Sequence, residues 1–137
     1  MALKKYYFDH DADIGVIGCG KTLEAAFISI AESTFSLMTN LEKINPRTSI
    51  EINFQESDLE LALLNWLNLL IGESIANNLI FCKFELQHKN NHWQGTAFGD
   101  NWQENMERGI EVKGATLTML SVKKINQHWE ARCVVDV

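Results

Sequence analysis

Two acidic segments near opposite ends of the sequence hold the residues best suited to bind a cation. Asp9, Asp11 and Asp13 lie within five residues, and His10 stands between them. In an extended chain the three aspartates would point to one face, where their repulsion calls for a cation, a basic partner or full solvation. Carboxylate oxygens favour hard ions such as Mg²⁺, Ca²⁺ or Mn²⁺. A solvated acidic turn is the alternative that this pattern leaves open.

The second acidic segment is at the other end, where Asp136 interrupts an apolar run. A charge beside a buried strand usually has a partner, and the α-carboxylate of Val137 adds another negative group. If the last strand pairs near residues 9–13, four or more carboxylate oxygens converge there, and Lys113 in a neighbouring strand would balance their charge. The alternative is a frayed, solvated terminus.

A phosphate-loop pattern overlaps the first acidic segment. Gly15–Thr22 matches G-x-x-x-x-G-K-[ST] in full, so Lys21 would reach the outer phosphates of a nucleotide. The context argues against this interpretation, because carboxylates precede the motif and Val16-Ile17 favours a strand instead of a turn. The pattern fits a strand, a glycine-rich turn and a helix capped by Thr22, and nucleotide binding at Gly15–Thr22 remains the alternative function.

The elements that must position these residues follow from hydrophobic periodicity. It predicts a single α+β domain over residues 1–137, with two helices packed on an antiparallel or mixed β-sheet. The second helix begins with a capping box in which Ser57 is the N-cap and Glu60 the N3 residue, and Trp66 lies in its buried stripe. The order is strand (4–9), strand (14–19), helix from 23, strand (49–54), helix from 58, and four more strands. These last strands are 80–86, 93–98, 110–124 and 129–135; the strand at 110–124 is either one long strand or a bent one, with Gly114 as a candidate bulge. A mobile loop is predicted at 99–109.

Composition excludes several classes of protein. The 12 basic and 18 acidic residues give a net charge of −6, which disfavours strong direct binding to nucleic acid. No apolar run is long enough to predict a membrane span. The three cysteines are widely spaced, as expected for reduced core residues of a cytosolic protein and not for a zinc site. No nucleophile and base stand at a catalytic spacing.

Segments along the whole chain resemble the archease family. Tyr7–Gly15 is similar to its signature, in which Asp-His-Thr-Ala-Asp precedes a hydrophobic residue. Other segments resemble, in order, the start of its first helix (Gly20–Phe27), its second helix (Asp58–Asn68), its late Glu-Val-Lys-Ala-Val-Thr strand (Gly109–Thr116) and its terminal Asp-Ile (Asp136-Val137).

The resemblance implies a protein cofactor and not a stand-alone enzyme. Archeases activate an RtcB-type RNA ligase in tRNA splicing, by promoting its metal- and GTP-dependent guanylylation and its multiple turnover. The implied fold consists of strand-helix-strand-strand modules. We also expect a cytoplasmic protein that is a monomer. The family's metal site, for Ca²⁺, Mg²⁺ or Mn²⁺, maps onto Asp13, Asp136 and the Val137 carboxylate. Asp9, His10 and Lys113 map next to that site.

This sequence also departs from the family pattern. Asp11 stands where threonine is usual, and Gly114 where alanine is usual. Met106 stands in the loop that often carries His-Pro, and Thr118 ends the segment that is commonly Thr-Tyr-His. The roles of that loop histidine and of the tyrosine–histidine pair therefore have no matching residues here.

Overall fold

The computed structural model describes residues 6–10 and 13–137, with side chains from residue 13 onward. It confirms an α+β fold with two helices. Their bounds are α1 Leu23–Ser36 and α2 Leu59–Asn77, and a short 3₁₀ turn spans Leu41–Lys43. The strands are β1 Tyr6–His10, β2 Asp13–Gly20, β3 Thr48–Gln55, β4 Leu79–Lys89, β5 His92–Asn101, β6 Gly114–Ala115, β7 Ser121–Ile125 and β8 His128–Asp136.

The strands form two sheets, and every pairing among the described residues is antiparallel. The first sheet has the order β1-β2-β8-β6, with β7 also pairing with β8, and the second has the order β3-β5-β4. Helix α1 packs against β2, β8 and β4, while α2 packs against β3, β4, β6 and β7. Both helices therefore contact both sheets, and the first sheet joins strands from the two ends of the sequence.

Helix α1 begins as the sequence predicts. The Thr22 hydroxyl accepts a hydrogen bond from the Ala25 N–H at 3.0 Å, which satisfies one of the donors at the helix start. One face of the helix is buried, and it includes Phe27 and Ile30 at 0% exposure. Gly18 lies against this helix so closely that a Cβ atom there would come within 2.7 Å of the Ala26 carbonyl oxygen.

The N-cap of helix α2 lies one residue later than predicted. Asp58, and not Ser57, is the N-cap, and its carboxylate accepts from the Leu61 N–H at 2.9 Å. The helix ends at Asn78, which has a left-handed backbone (φ 51°). Trp66 is fully buried as predicted, and its indole N–H donates to the Phe27 carbonyl oxygen at 2.9 Å.

Helix α2 is more apolar than expected, because the sequence analysis found no run long enough to predict a membrane span. With 19 residues and a mean hydropathy of 1.3, the helix is long and apolar enough to cross a membrane by those two measures. A core helix passes the same test. Leu63, Leu67 and Leu70 are fully buried against the rest of the fold, and this packing accounts for that part of the composition.

The C-terminal half departs from the predicted elements. Residues 110–124 do not form one strand, because β6 and β7 are separated at residues 116–120, where Met119 has a left-handed backbone (φ 54°). Five strands, and not four, therefore follow α2. Gly114 lies within β6 and is not at a bulge; a register shift occurs instead between Phe81 and Lys83 of β4.

The predicted loop is shorter and better anchored than expected. Strand β5 continues to Asn101, so residues 99–101 belong to the sheet. The loop that follows is fastened to the segment after α1. The Thr39 hydroxyl donates to the Glu107 carbonyl oxygen at 2.6 Å, and the Gly109 N–H donates to the Met38 carbonyl oxygen at 2.7 Å. These bonds link the end of the loop to residues distant in sequence.

The three cysteines form no disulfide among the described residues. Burial raises the pKa of the Cys133 thiol from about 9 to about 11. Above pH 9 the unfolded chain would release this proton while the folded protein retains it, so stability should fall as the pH rises from 9 towards 11. We expect the slope of unfolding free energy against pH in urea titrations to flatten in Cys133→Ala. An unchanged slope would contradict the assignment to this thiol.

Candidate functional site

Asp13 and Asp136 lie across from each other on neighbouring strands. The register pairs Ile14 of β2 with Val135 of β8, and both strands continue by one residue, to Asp13 and Asp136. Directly opposed residues of an antiparallel pair have Cβ atoms about 4.5–5.5 Å apart. The structure therefore brings together the two aspartates that the sequence analysis selected from opposite ends of the chain.

Strand β1 brings Asp9 and His10 to the same end of the sheet. The register pairs His10 with Asp13 and Asp9 with Ile14. Strands β1 and β2 are antiparallel, so Asp9 and Asp13 lie on different strands and not on one extended segment. Asp11, and the side chains of Asp9 and His10, lie outside the described residues.

The other flank of Asp136 is formed by β6. Gly114 is paired with Asp136, and the Lys113 backbone N–H donates to the Asp136 carbonyl oxygen at 2.8 Å. The Lys113 backbone is therefore adjacent to Asp136, and the Lys113 side chain is exposed. That this lysine balances the carboxylate charge stays a prediction.

Sequence reasoning missed one residue of this region. Asn68, on α2, makes two hydrogen bonds with the backbone of Ala115: its Oδ1 accepts from the N–H at 2.8 Å, and its Nδ2 donates to the carbonyl oxygen at 3.2 Å. The signal available in the sequence was weak. Asn68 is a polar residue directly after a buried pair, Trp66-Leu67, which is equally typical of a solvent-exposed helix position.

The donor chemistry suits a hard divalent cation. Asp136 is exposed and Asp13 half-buried, so both are accessible from solvent, and carboxylate oxygens are the ligands that Ca²⁺, Mg²⁺ and Mn²⁺ prefer. Among the side chains that the structure describes, no three from His, Cys, Asp and Glu are grouped closely enough to hold a metal ion. Asp13 and Asp136 supply two carboxylates at this end of the sheet.

The structure contradicts the phosphate-loop interpretation of Gly15–Thr22. Residues 15–20 are part of the continuous strand β2, hydrogen-bonded to β1 and β8, and do not form a loop that could surround a phosphate. Gly18 and Gly20 instead allow close packing between β2 and α1. A Cβ atom on Gly20 would lie 2.5 Å from the Ala25 Cβ atom, so these glycines let the strand and α1 approach each other.

Two departures from the family pattern have a local structural account. A Cβ atom on Gly114 would lie 3.4 Å from Asn68 Oδ1, an ordinary van der Waals distance, so an alanine would also fit. Met106 is half-buried and packs against the core, and its sulfur accepts from the Gln103 N–H at 3.4 Å. It therefore anchors the loop by packing.

Comparisons with known proteins agree with this arrangement of elements. Residues 6–137 match the model of the Archease protein family (MTH1598/TM1083). The chain is 35% identical over 134 residues to the protein archease of Sulfolobus acidocaldarius, and 31% identical over 137 residues to that of Pyrococcus furiosus. Each alignment covers 96% of this chain and 96% of the relative.

Solved structures show the same fold. Protein 1598 of Methanobacterium thermoautotrophicum superposes with a TM-score of 0.82 at 27% identity, over 97% of this chain and 98% of that one. A Thermotoga maritima protein described as an archease and possible chaperone superposes with a TM-score of 0.64 at 21% identity, over 95% and 94% of the two chains. At that lower identity the likeness concerns the fold alone.

Proposed function

The chain belongs to the archease family, and on that premise we propose that it activates an RtcB-type RNA ligase in tRNA splicing or RNA repair. It would do so as a protein cofactor that promotes guanylylation of the ligase and its multiple turnover. The observation that carries the proposal is the opposition of Asp13 and Asp136 on neighbouring strands, beside the strand that bears the rest of the family signature. Two aspartates held in this way form a preorganised anionic site.

The proposed site holds one Ca²⁺, Mg²⁺ or Mn²⁺ ion through Asp13, Asp136 and the Val137 carboxylate. A divalent ion there would supply charge neutralisation for a transferring phosphoryl group. Asp13 and Asp136 bind and orient the cation from adjacent strands. Lys113 moderates the negative charge, while Asp9 and His10 border the site from β1.

The charge of the protein supports a protein partner over direct contact with RNA. The net charge of −6 repels a phosphate backbone but favours encounter with the basic surface expected of an RNA-binding ligase. We place the protein in the cytoplasm, as a monomer that docks on that ligase. The exposed position of Asp136 is consistent with a site that is presented to another protein.

The test is multiple-turnover RNA ligation and guanylylation by the cognate ligase, with this protein at substoichiometric concentration. We expect stimulation by the wild type and its loss, down to the rate of the ligase alone, in Asp13→Asn and Asp136→Asn. Each change removes a charged ligand while preserving side-chain size. Single-turnover guanylylation should show the same pattern as multiple turnover if both depend on the same ion.

Two control variants make this test specific. Glu51→Gln removes a carboxylate from an exposed position on β3, in the other sheet, and should keep full stimulation. Lys21→Ala should also keep it, since Lys21 is an exposed residue just before the helix cap. Stimulation that survives both aspartate changes would refute the cation mechanism, and loss with Lys21→Ala would show that the assay responds to changes outside the proposed site.

A further inference from the structure

A cavity of about 350 Å³ lies between the end of α2 and the segment 102–112. This volume is within the range of about 300–1,000 Å³ that is usual for small-molecule sites. Its apolar residues are of two kinds: Met38, Ile71 and Val112 are buried, whereas Ile75 and Ile110 are 61% and 43% exposed. A ligand with an apolar body would therefore cover side chains that now face solvent, which favours its binding.

The cationic residue of this cavity is Arg108, and its side chain is held in place by an aromatic ring. The guanidinium Cζ atom lies 3.8 Å from the centroid of the Trp102 ring, a distance at which the ring attracts a cation. The Trp102 backbone is anchored in turn, because its N–H donates to the Asn78 carbonyl oxygen at 3.1 Å. A guanidinium presents its N–H donors in its own plane, so contact of its face with a ring does not use them.

The backbone on both sides of Arg108 is also held. On one side the Glu107 carbonyl oxygen accepts from the Thr39 hydroxyl, and on the other the Gly109 N–H donates to the Met38 carbonyl oxygen. A long side chain at a protein surface normally loses rotamer freedom when it binds a ligand. Because Arg108 is already restrained at its backbone and at its guanidinium group, that loss should be smaller here.

Arg108 makes no ion pair with an acidic side chain among the described residues. The ion pairs found there join other residues: Arg47 with Asp100, and Arg132 with Glu130. Glu111 also lines the cavity, but it is not paired with Arg108. Carboxylates accept two parallel N–H bonds from an arginine. A restrained guanidinium beside an apolar cavity is therefore suited to the anionic group of a ligand.

We infer that this cavity binds a small organic anion, an aromatic or branched aliphatic carboxylate. Its apolar body packs on Ile71 and Val112, and its carboxylate binds Arg108. Glu111 repels a second negative charge, so the cavity favours a monoanion over a nucleoside di- or triphosphate. The cavity contains none of the residues of the proposed cation site, and this inference does not depend on the proposed activation of a ligase.

Isothermal titration calorimetry of the full chain with two probes tests this inference. The probes are 1-naphthaleneacetate and its neutral amide, 1-naphthaleneacetamide, which have nearly the same shape and differ in charge. The wild type should bind the acetate about tenfold more tightly than the amide, the usual effect of a charge-assisted hydrogen bond. Arg108→Met keeps an unbranched aliphatic side chain without the charge and should abolish this preference. The ratio of the two affinities within one variant is insensitive to a general change in stability.

Two matched controls make the assignment specific. Arg47 is also an exposed arginine but does not line this cavity, so Arg47→Met should keep the tenfold preference. Leu69 and Ile75 are both exposed apolar residues of α2, and of the two only Ile75 lines the cavity. Ile75→Ala should weaken the binding of both probes about fourfold, through lost apolar contact, while Leu69→Ala should leave both affinities unchanged.

The ratio of affinities decides between the outcomes. A preference for the acetate that is lost in Arg108→Met and kept in Arg47→Met supports the inference. Equal affinities for the two probes in the wild type, or a preference that persists in Arg108→Met, overturn the role of Arg108. A wild-type protein that binds neither probe at millimolar concentration overturns the cavity as a binding site. Circular dichroism of each variant shows whether it is folded.

Discussion

Replacing Gly18 with alanine is expected to destabilise the protein by about 3 kcal/mol, at the upper end of the usual cost of overpacking. The added Cβ atom would overlap the Ile30 backbone nitrogen and lie 2.7 Å from the Ala26 carbonyl oxygen. Both atoms belong to the backbone of α1, which cannot move aside as a flexible side chain could. Either the helix must shift away from the sheet or β2 must bend, and urea denaturation monitored by circular dichroism would measure the loss.

Gly72→Ala is the matched control for this effect. Gly72 is an exposed position of α2, and a Cβ atom there meets nothing within 4 Å. The same chemical change should therefore stabilise the protein by about 0.5–1 kcal/mol, the usual difference between glycine and alanine inside a helix. If Gly18→Ala were as well tolerated as Gly72→Ala, the close packing of β2 on α1 would be wrong, and the glycines of Gly15–Thr22 would need another explanation.

The second large effect is that of Asp136→Asn on stability. The change should stabilise the protein without a cation and destabilise it, relative to the wild type, when a cation is bound. Without a cation, Asp136→Asn should leave the protein slightly more stable, by up to about 1 kcal/mol, because like charges directly opposed across strands repel. With a cation in hundredfold excess over its dissociation constant, the wild type should gain about 2.7 kcal/mol. Asp136→Asn should lose nearly all of that gain.

Thermal unfolding in Mn²⁺ and in EDTA measures the stability difference between Asp136→Asn and the wild type under both conditions. Glu51→Gln serves as the control, since it removes a charge from the other sheet and should respond to Mn²⁺ as the wild type does. The prediction fails if Mn²⁺ raises the thermal stability of Asp136→Asn as much as that of the wild type. Equal gains would mean that the ion binds elsewhere, and the ligase assay would then need a different mechanism.

Much of the fold could be predicted because local signals and packing agree. Thr22 is followed by a helical apolar stripe, so the cap and the buried face of α1 both follow from residue types. Alternation likewise identified β3, β5 and β8. Asp136 could be selected because charge is unusual next to an apolar strand, although only the register shows that Asp13 and Asp136 lie at the same end of neighbouring strands.

The errors occurred where tertiary contacts decide between similar local patterns. Ser57 and Asp58 are both good helix caps, and the choice of Asp58 depends on which oxygen reaches the Leu61 N–H. Residues 110–124 have strand-forming composition, but the break before β7 depends on the left-handed backbone at Met119. The role of Asn68 needs a partner far along the chain, Ala115, and no local pattern identifies such a partner.

The position of β8 in the first sheet has a consequence for biosynthesis. The strands of the second sheet and α2 are contiguous in sequence, so they can assemble while the chain is still emerging from the ribosome. Strand β2 must wait for β8, which is made last of all the strands yet lies between β2 and β6. Such long-range pairing is slow to form. Nascent chains should therefore expose the edge of β2 until β8 has been made, and the acidic pair should arise only after β8 has joined the sheet.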